Sequence, residues 1–517
     1  MSTSNTPLPS SKEVSSPVTG KSRRSFKGKK KPRLMQDINE VVRRDVDKLW
    51  SSLNVNPTIP SDGTAPLGLF EEVEVRIVAL SATGEGIGLL GSPSSGEDTQ
   101  DEARKGWFVL VPHVLQGEWV RGRVYRNHRG YSYADLLKVL VSSPERQKAP
   151  CTYFGRCGGC QLQHMTYEGQ LAFKKASMEA AFEQQKGSLG SVVVEKVWAS
   201  PDQYGYRTKI TPHFEKPKGT TQCPDIGFLQ QGRRRVLDVE ECIIARPVLN
   251  EGLTQSRAYV ASHLDSYKKG ATLLLREDHQ ILQPGEEGND TNSPKEVSSV
   301  VTDHKQIVHE SFGAYKFEFP AGSFFQNNAS ILPDLTGYVR DHVQGEGGKK
   351  VKYLVDAYCG SGLFSITCAS KTFERVLGVE ISEDSVKYAR RNVELNQHHL
   401  PDVPCTYQVG DAETIFKGLD VPGTDTSLII DPPRKGCSTS FLDQMIQFGP
   451  YRVAYVSCNV VTQARDLAYL EDQCKALGVP GWRIEHLCGF DLFPWTAHVE
   501  GVALLVQRPV EKKRMAL

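Results

Sequence analysis

The sequence predicts a multidomain α/β protein, with a parallel sheet wound with helices in its C-terminal part, a small β-barrel near its N-terminus and a mixed α+β region between them. Three observations carry that expectation. From Val351 onward, apolar strand, turn and amphipathic helix alternate through KYLVDAYCGSG, RVLGVEIS, CTYQVGDA, SLIIDPP and RVAYVSCN and finish on HVEGVALLVQRP, the pattern of helices packed on a mostly parallel sheet. From Leu69, FEEVEVRIVALSATGEGIGLL alternates apolar and polar residues and breaks at Gly84, Gly86 and Gly88, then resumes through WFVLVPHVLQGEWVRGRVYRN, as several short strands with glycine turns do. The length, 517 residues, allows about three domains at roughly 150 residues each.

Residues 1–68 read as a basic, unstructured tail and linker. Positions 1–33 carry nine Lys/Arg against the single acid Glu13, and residues 21–33 hold eight basic side chains and no acid. The chain's net charge is +1, so the tail's net +8 leaves −7 for the remainder. A run of like charge repels itself and stays extended near a polyanion. Only 34–50 show a mildly helical spacing. Residues 69–142 form the expected barrel, interrupted at 91–106 by a polar, mobile-looking insertion. Residues 143–325 make the central α+β region, with a helical stretch around Gly169–Lys186 and a second polar insertion at 284–299 expected to lack order. Residues 326–517 form the sheet domain.

Composition excludes several classes. Hydrophobic residues are 39% and charged residues 24%, and no run of 18 apolar residues occurs, so neither global disorder nor a membrane span fits. Twelve cysteines fall far below the density of a disulfide scaffold, and the chain starts with no apolar signal segment, which points to a reducing, intracellular compartment. The tail suits a nuclear address or an RNA-attracting arm, leaving cytoplasm or nucleus, with a mitochondrial transit role as the alternative.

The chemistry concentrates at strand ends. In DAYCGSGLFS, 356–365, an acid closes a strand and Gly360 and Gly362 make a tight turn where backbone approaches a ligand. Ser365 stands where a dinucleotide fingerprint has its third glycine. Glu380 ends the next strand, 20 residues after Gly360, where a carboxylate binds both hydroxyls of a ribose; Asp411 ends the third, placed to accept from an adenine amino group. That set describes S-adenosylmethionine better than NAD. The following strands end in Asp431-Pro432-Pro433-Arg434 and Ser457-Cys458-Asn459. Cys458 precedes a helical pattern, where a thiol pKa can be lowered, although a lone cysteine is more often inert core. Glu500 lies among apolar residues, where burial raises its pKa and favours an acid or base role.

Upstream, Cys151, Cys157 and Cys160 are spaced to meet one metal centre, with Gly158 and Gly159 turning the chain. The fourth ligand is Cys223 or Cys242, and zinc or a 4Fe–4S cluster satisfies the donors. The three-then-two spacing of radical S-adenosylmethionine proteins is absent, so the expected role is structural. In the barrel, Trp107, Trp119, Tyr125, Tyr131 and Tyr133 interleave with Arg121, Arg123, Arg126 and Arg129; stacked bases and phosphate contacts follow, with at least two of the five aromatics in the core. His164, His213 and His498 show no metal spacing and are assigned only packing or hydrogen bonding.

DAYCGSG, SFFQNN, DPPRKG, YVSCN and HVE, in that order, resemble the RNA uracil carbon-5 methyltransferase family over roughly residues 69–517. The resemblance implies a Rossmann-like class I methyltransferase domain, S-adenosylmethionine as methyl donor and, as in eukaryotic members, the T-loop uridine at position 54 of tRNA as target, with ribosomal RNA second. It puts the nucleophile on Cys458, the general base on Glu500, and cofactor and uracil contacts on Gln326, Tyr358, Glu380 and Asp431. It likens the barrel to the RNA-binding TRAM domain and matches Cys242 to the distant fourth ligand of a 4Fe–4S cluster, ahead of zinc. Val460 replaces a proline common after SCN, and Trp495 a histidine common before HVE, which bears on substrate fit. Neither a membrane nor an obligate protein partner is implied. The chemistry agrees: carbon 5 of uracil is too weak a nucleophile until a thiolate adds at carbon 6. A tRNA-binding or chaperone protein on a methyltransferase scaffold is the rival reading, disfavoured because a binder needs no reactive thiol beside a carboxylate. An amino-group methyltransferase would have an aromatic residue after the prolines, where Arg434 stands.

Overall fold

Val73, Val75 and Ile77 are buried along Glu72–Leu80 (β1) while the residues between them face outward, the period of two that a half-buried strand imposes. The computed structural model, which describes residues 33–53, 65–94, 97–98, 104–285, 287–288, 290–345, 351–411 and 415–509, continues this sheet with Gly86–Ser92 (β2), Phe108–Val111 (β3), Trp119–His128 (β4) and Tyr131–Val141 (β5). They pair in the order β1-β4-β5-β3-β2, and β2 pairs back to β1, so the five strands close into a barrel. Closure removes the open strand edges. Three of the five barrel aromatics, Trp107, Trp119 and Tyr131, are buried, and Trp107 donates its indole N–H to Ser132 at 2.8 Å. The 91–106 insertion falls largely outside the described residues.

Within the stretch 1–68, read as an unstructured tail and linker, the structure corrects 33–53, where the helical spacing expected over 34–50 is borne out. Arg33–Leu53 is a helix (α1) whose Val42 and Val46 are fully buried beside Leu49 and Trp50, an i, i+4, i+7, i+8 stripe. The stripe finds its partner on the outer face of the barrel. Trp50 stacks on Phe108 at 5.9 Å and donates to the Gly106 carbonyl at 2.8 Å, and Asp45 accepts the Ala82 amide at 2.8 Å. The basic run up to Pro32 and the linker 54–64 lie outside the described residues.

In the central region Thr166 caps Tyr167–Glu183 (α2) by accepting the Gly169 amide, and Val197–Trp198 (β6) is followed by a hairpin of Gly227–Leu229 (β7) and Val236–Asp238 (β8). Leu275–Leu282 (β9) pairs antiparallel with Lys295–Val301 (β10), so the end of the polar stretch 284–299 is a strand and not a disordered insertion. It is polar because it is exposed over Lys295–Ser299, and the ladder with β9 supplies its order. Ile307–Phe312 (β11) and Tyr315–Pro320 (β12) form a hairpin whose Phe317 and Phe319 share one apolar core with Phe325, Leu332–Val343 (α3) and Leu354.

The large sheet contains Tyr353–Ala357 (β13), Arg375–Glu380 (β14), Cys405–Val409 (β15), Thr426–Ile430 (β16), Arg452–Ser457 (β17), Trp482–Phe490 (β18) and Glu500–Gln507 (β19), with Leu363–Thr367 (α4), Glu383–Asn396 (α5), Thr439–Phe448 (α6) and Val460–Leu477 (α7) among its connections. Its order is β15-β14-β13-β16-β17-β19-β18-β6, the first five strands parallel and β19 antiparallel to both neighbours. Leu428, Ile429 and Ile430 and the whole of β17 are buried, as strands covered on both faces require. Strand order reverses between β13 and β16, so the crevice at their carboxyl ends is where a ligand binds. Among the described residues no helix is long and apolar enough to cross a membrane.

Candidate active site

At the end of β13 the chain turns through Tyr358, Gly360 and Gly362, all with positive φ (66°, 54° and 93°). A Cβ on Gly360 would meet no atom within 4 Å, so the turn opens onto free space. Its amide donates to Glu380 Oε2 at 3.2 Å, and the Ser382 amide donates to the other oxygen at 3.0 Å, so Glu380 is oriented by backbone of two loops. Asp356 accepts the Ser365 amide at 2.8 Å through one carboxyl oxygen; the other is buried without a partner, and burial pushes this acid up to about 7. Asp411 is exposed at the end of β15, the last described residue before 412–414. Tyr358, a non-glycine held in the left-handed region, packs its ring on Phe441 at 5.4 Å, and burial with the neighbouring Cys437 raises its hydroxyl pKa. The turn, the unpartnered oxygen and carboxylates at successive strand ends suit a cationic nucleoside such as S-adenosylmethionine and would repel a pyrophosphate.

One strand over, Cys458, Glu500, Asp431 and Arg434 come together. The ladder pairs Ser457 with Gly501, which sets Cys458 and Glu500 on neighbouring strand ends. Gln463 bonds the carbonyls of Tyr455 at 2.8 Å and Gly501 at 3.1 Å and fastens both strands to α7. Asn459 caps α7 by accepting the Val461 amide and also donates to the Arg434 carbonyl at 3.0 Å, which ties the DPPR turn to the cysteine turn. Burial pushes Glu500 well above the usual carboxylate range, Asp431 pushes it further and Arg434 opposes. Burial also raises Asp431. Cys458 is pushed up to about 11, by burial first and by Glu500 and Asp431 second, while the charge of Arg434 acts against them. This corrects the expectation of a lowered thiol pKa: two carboxylates and desolvation outweigh a helix start. Sequence reasoning missed Arg434 as the thiol's partner; its place three residues after Asp431 was the available signal.

Gln326 is buried in the segment after β12, next to Phe325, which stacks on Phe319 at 4.4 Å, and Asn328, which donates to the Leu492 carbonyl at 3.2 Å. The loop leading to Glu500 is held from below. Lys174 and Asp491, both fully buried, form an ion pair, and Asp491 also accepts from Tyr167 and Gln170 at 2.9 Å each. Trp495 is 2% exposed, stacks on Tyr204 at 5.0 Å and donates to the Gln203 carbonyl. It is a packing residue of this loop.

The cysteine loop is fastened to the same stretch, the Gln161 and Leu162 amides donating to the Trp495 carbonyl at 2.9 and 3.0 Å. Burial raises Cys157, pushes Cys160 up to about 12 with Cys242 as the next cause, and pushes Cys242 to about 11. Cys151 also acts on Cys157 and Cys160, so these four thiols lie within electrostatic reach of one another, whereas Cys223 is exposed. Among the described residues, no three His, Cys, Asp or Glu side chains converge tightly enough to hold a metal ion.

A family model described as tRNA (Uracil-5-)-methyltransferase matches residues 299–404 and 413–508. A Schizosaccharomyces pombe protein described as tRNA (uracil(54)-C(5))-methyltransferase is 43% identical over 457 residues, spanning 87% of this chain and 80% of its own. A Saccharomyces cerevisiae protein of the same description is 38% identical over 518 aligned positions, 90% of this chain and 78% of its own. The crystal structure of Pyrococcus abyssi tRNA (uracil-54, C5)-methyltransferase in complex with S-adenosyl-L-homocysteine shares the fold, with a TM-score of 0.58, 24% identity and coverage of 84% of this chain and 99% of that one. Catalytic cleft, motif order and relatives agree: the chain belongs to the tRNA (uracil-5-)-methyltransferase family.

Proposed function

We propose that this enzyme methylates carbon 5 of uridine 54 in tRNA through a covalent adduct between Cys458 and carbon 6 of the uracil ring. The observation that carries the mechanism is the grouping of Cys458, Glu500, Asp431 and Arg434 beside the carboxylate-lined turn. When bound, S-adenosylmethionine supplies an electrophilic methyl group on a sulfonium. Glu380, oriented by two amides, and Asp411 fit the ribose and adenine, and Gln326 and Tyr358 complete the contacts the family pattern assigns.

Cys458 adds to carbon 6 and moves the ring's electron pair to carbon 5 and the carbon-4 oxygen, and carbon 5 then takes the methyl. Arg434, whose positive charge acts on the sulfur, stabilises the thiolate on the way in and again when it leaves. Glu500 removes the proton left on carbon 5, and the returning electrons expel Cys458 and restore the carbon 5–carbon 6 double bond. Its raised pKa brings it toward the operating pH, where a general base works best. Asp431 hydrogen-bonds the uracil edge, as donor when protonated and acceptor when ionised. The test is direct: purified protein with S-adenosylmethionine and unmodified tRNA should give 5-methyluridine at position 54 on mass mapping, and product only in ribosomal RNA, or none, would refute the assignment.

The barrel acts in this reading as a TRAM-like RNA-binding module, with the basic tail adding phosphate contacts. Cys151, Cys157, Cys160 and Cys242 are assigned to a structural 4Fe–4S cluster, supported by their donor chemistry: neighbouring buried thiols are poorly ionised alone, and a metal centre compensates the charge. The ligand side chains must draw together to hold it. Anaerobically purified protein should contain iron and sulfide that Cys242→Ser loses; stoichiometric zinc without iron would overturn the cluster.

A further inference from the structure

A cavity of about 140 Å³ lies between the barrel and the β7–β8 hairpin, lined by Glu85, Tyr125, Arg126, Tyr133, Asp135 and Arg233 among others. The register shift between Val124 and Arg126 in the β4–β5 ladder is what builds its barrel wall. From Val120 to Val124 buried and exposed residues alternate, but Tyr125 and Arg126 are consecutive and both exposed, as a bulge allows. Tyr133 lies 6.1 Å from Tyr125 and rests edge-on against Tyr131 and His128. Across the opening Arg233 reaches Asp135 at 3.7 Å from the hairpin turn. That turn is anchored to the cysteine loop through the Gln231 amide on the Arg156 carbonyl and the Gly158 amide on the Leu229 carbonyl.

The charges decide what fits. Two carboxylates face two guanidinium groups, so a free anion meets Glu85 and Asp135, and a metal ion meets Arg126 and Arg233. A flat neutral group carrying both donors and acceptors satisfies all four. The volume is of the order of a cavity that holds a small flat aromatic molecule and below that of a site for a drug-sized ligand. We propose that this cavity captures one unstacked base of the RNA substrate, and that the base is guanine. Tyr125 and Tyr133 supply the stacking surface. An arginine fork matches the O6 and N7 acceptors of guanine, and a carboxylate matches its N1–H and N2–H donors.

The barrel turn beside the cavity reaches the catalytic loop. Glu85 leaves the β1–β2 turn, and a Cβ on Gly84 in that turn would lie 3.6 Å from the Ala497 methyl, three residues before Glu500. An RNA segment entering the cleft beside that loop therefore passes the cavity mouth, and a captured base fixes the segment's register.

The inference rests on RNA being the substrate, and its test separates the two. Tyr125→Ala and Asp135→Asn, both at exposed positions, should melt at the wild-type temperature, bind S-adenosylmethionine normally and raise the apparent KM for tRNA about tenfold, with the effect in KM and not in kcat. In wild type, replacing one particular guanosine of the tRNA by inosine, which lacks the 2-amino group, should raise KM, and the same replacement should add nothing in Asp135→Asn. Unchanged KM in both variants, or an inosine penalty that adds fully in Asp135→Asn, would overturn the guanine site. Failure of wild type to methylate any tRNA would refute the functional reading instead, and tRNA binding by fluorescence anisotropy would then test the cavity alone, with equal affinity of wild type and variants refuting it.

Discussion

Replacing Cys458 with alanine is expected to lower methyl transfer by at least about 10⁴-fold while cofactor affinity stays near wild type. In the proposed mechanism the thiol is the group that adds to carbon 6, and without that addition carbon 5 is too weak a nucleophile to take the methyl. The proposed cofactor contacts, Gly360 and Glu380, lie two and three strands away, on the ends of β13 and β14. A titration of S-adenosylmethionine beside a turnover assay distinguishes the two effects. RNA carrying 5-fluorouridine at the target should trap wild type in an adduct stable on denaturing gels, since fluorine cannot leave as a proton, and Cys458→Ala should give none. Turnover by the alanine variant would remove Cys458 from the mechanism.

Glu500→Gln is expected to fail later in the cycle. The first residue of β19 is buried, and its carboxylate is the proposed base, so the amide should permit addition and methyl transfer but not proton removal. Methylated protein–RNA adduct should accumulate while turnover falls about 10²- to 10⁴-fold. The pH dependence has a definite sign. Glu500 must be ionised to accept the proton, and burial with Asp431 holds its pKa up, so the wild-type rate rises with pH through that raised value. Cys458, held near 11, adds to the same trend because its thiolate fraction grows with pH. Normal turnover by Glu500→Gln, with no adduct on the gel, would assign the base to another group or to water.

The wound sheet and the barrel were legible in the sequence because each depends on local pattern, whereas the roles proposed for Cys458 and Glu500 came from the order of motifs that the chain shares with its family. Strand, turn and helix periodicity place Asp356, Glu380, Asp431 and Cys458 at or just beyond the carboxyl ends of consecutive strands, and in an open α/β sheet those ends are where ligands bind. Other features depend on groups far apart in the chain. The two-residue strand Val197–Trp198 has no periodicity to read, yet pairing with Gly489 and Phe490 makes it the last strand of the catalytic sheet. The helical spacing over 34–50 was legible, but nothing near it in sequence told what Val42, Val46 and Trp50 pack against, and the barrel face that covers them is distant in the chain. Lys174 and Asp491, 317 positions apart, meet only because α2 lies under the loop that carries Glu500. The direction of the Cys458 shift was likewise decided by tertiary structure: a helix start acts through neighbours in sequence, but desolvation and charge add over everything nearby in space, and there Glu500 and Asp431 outweigh it.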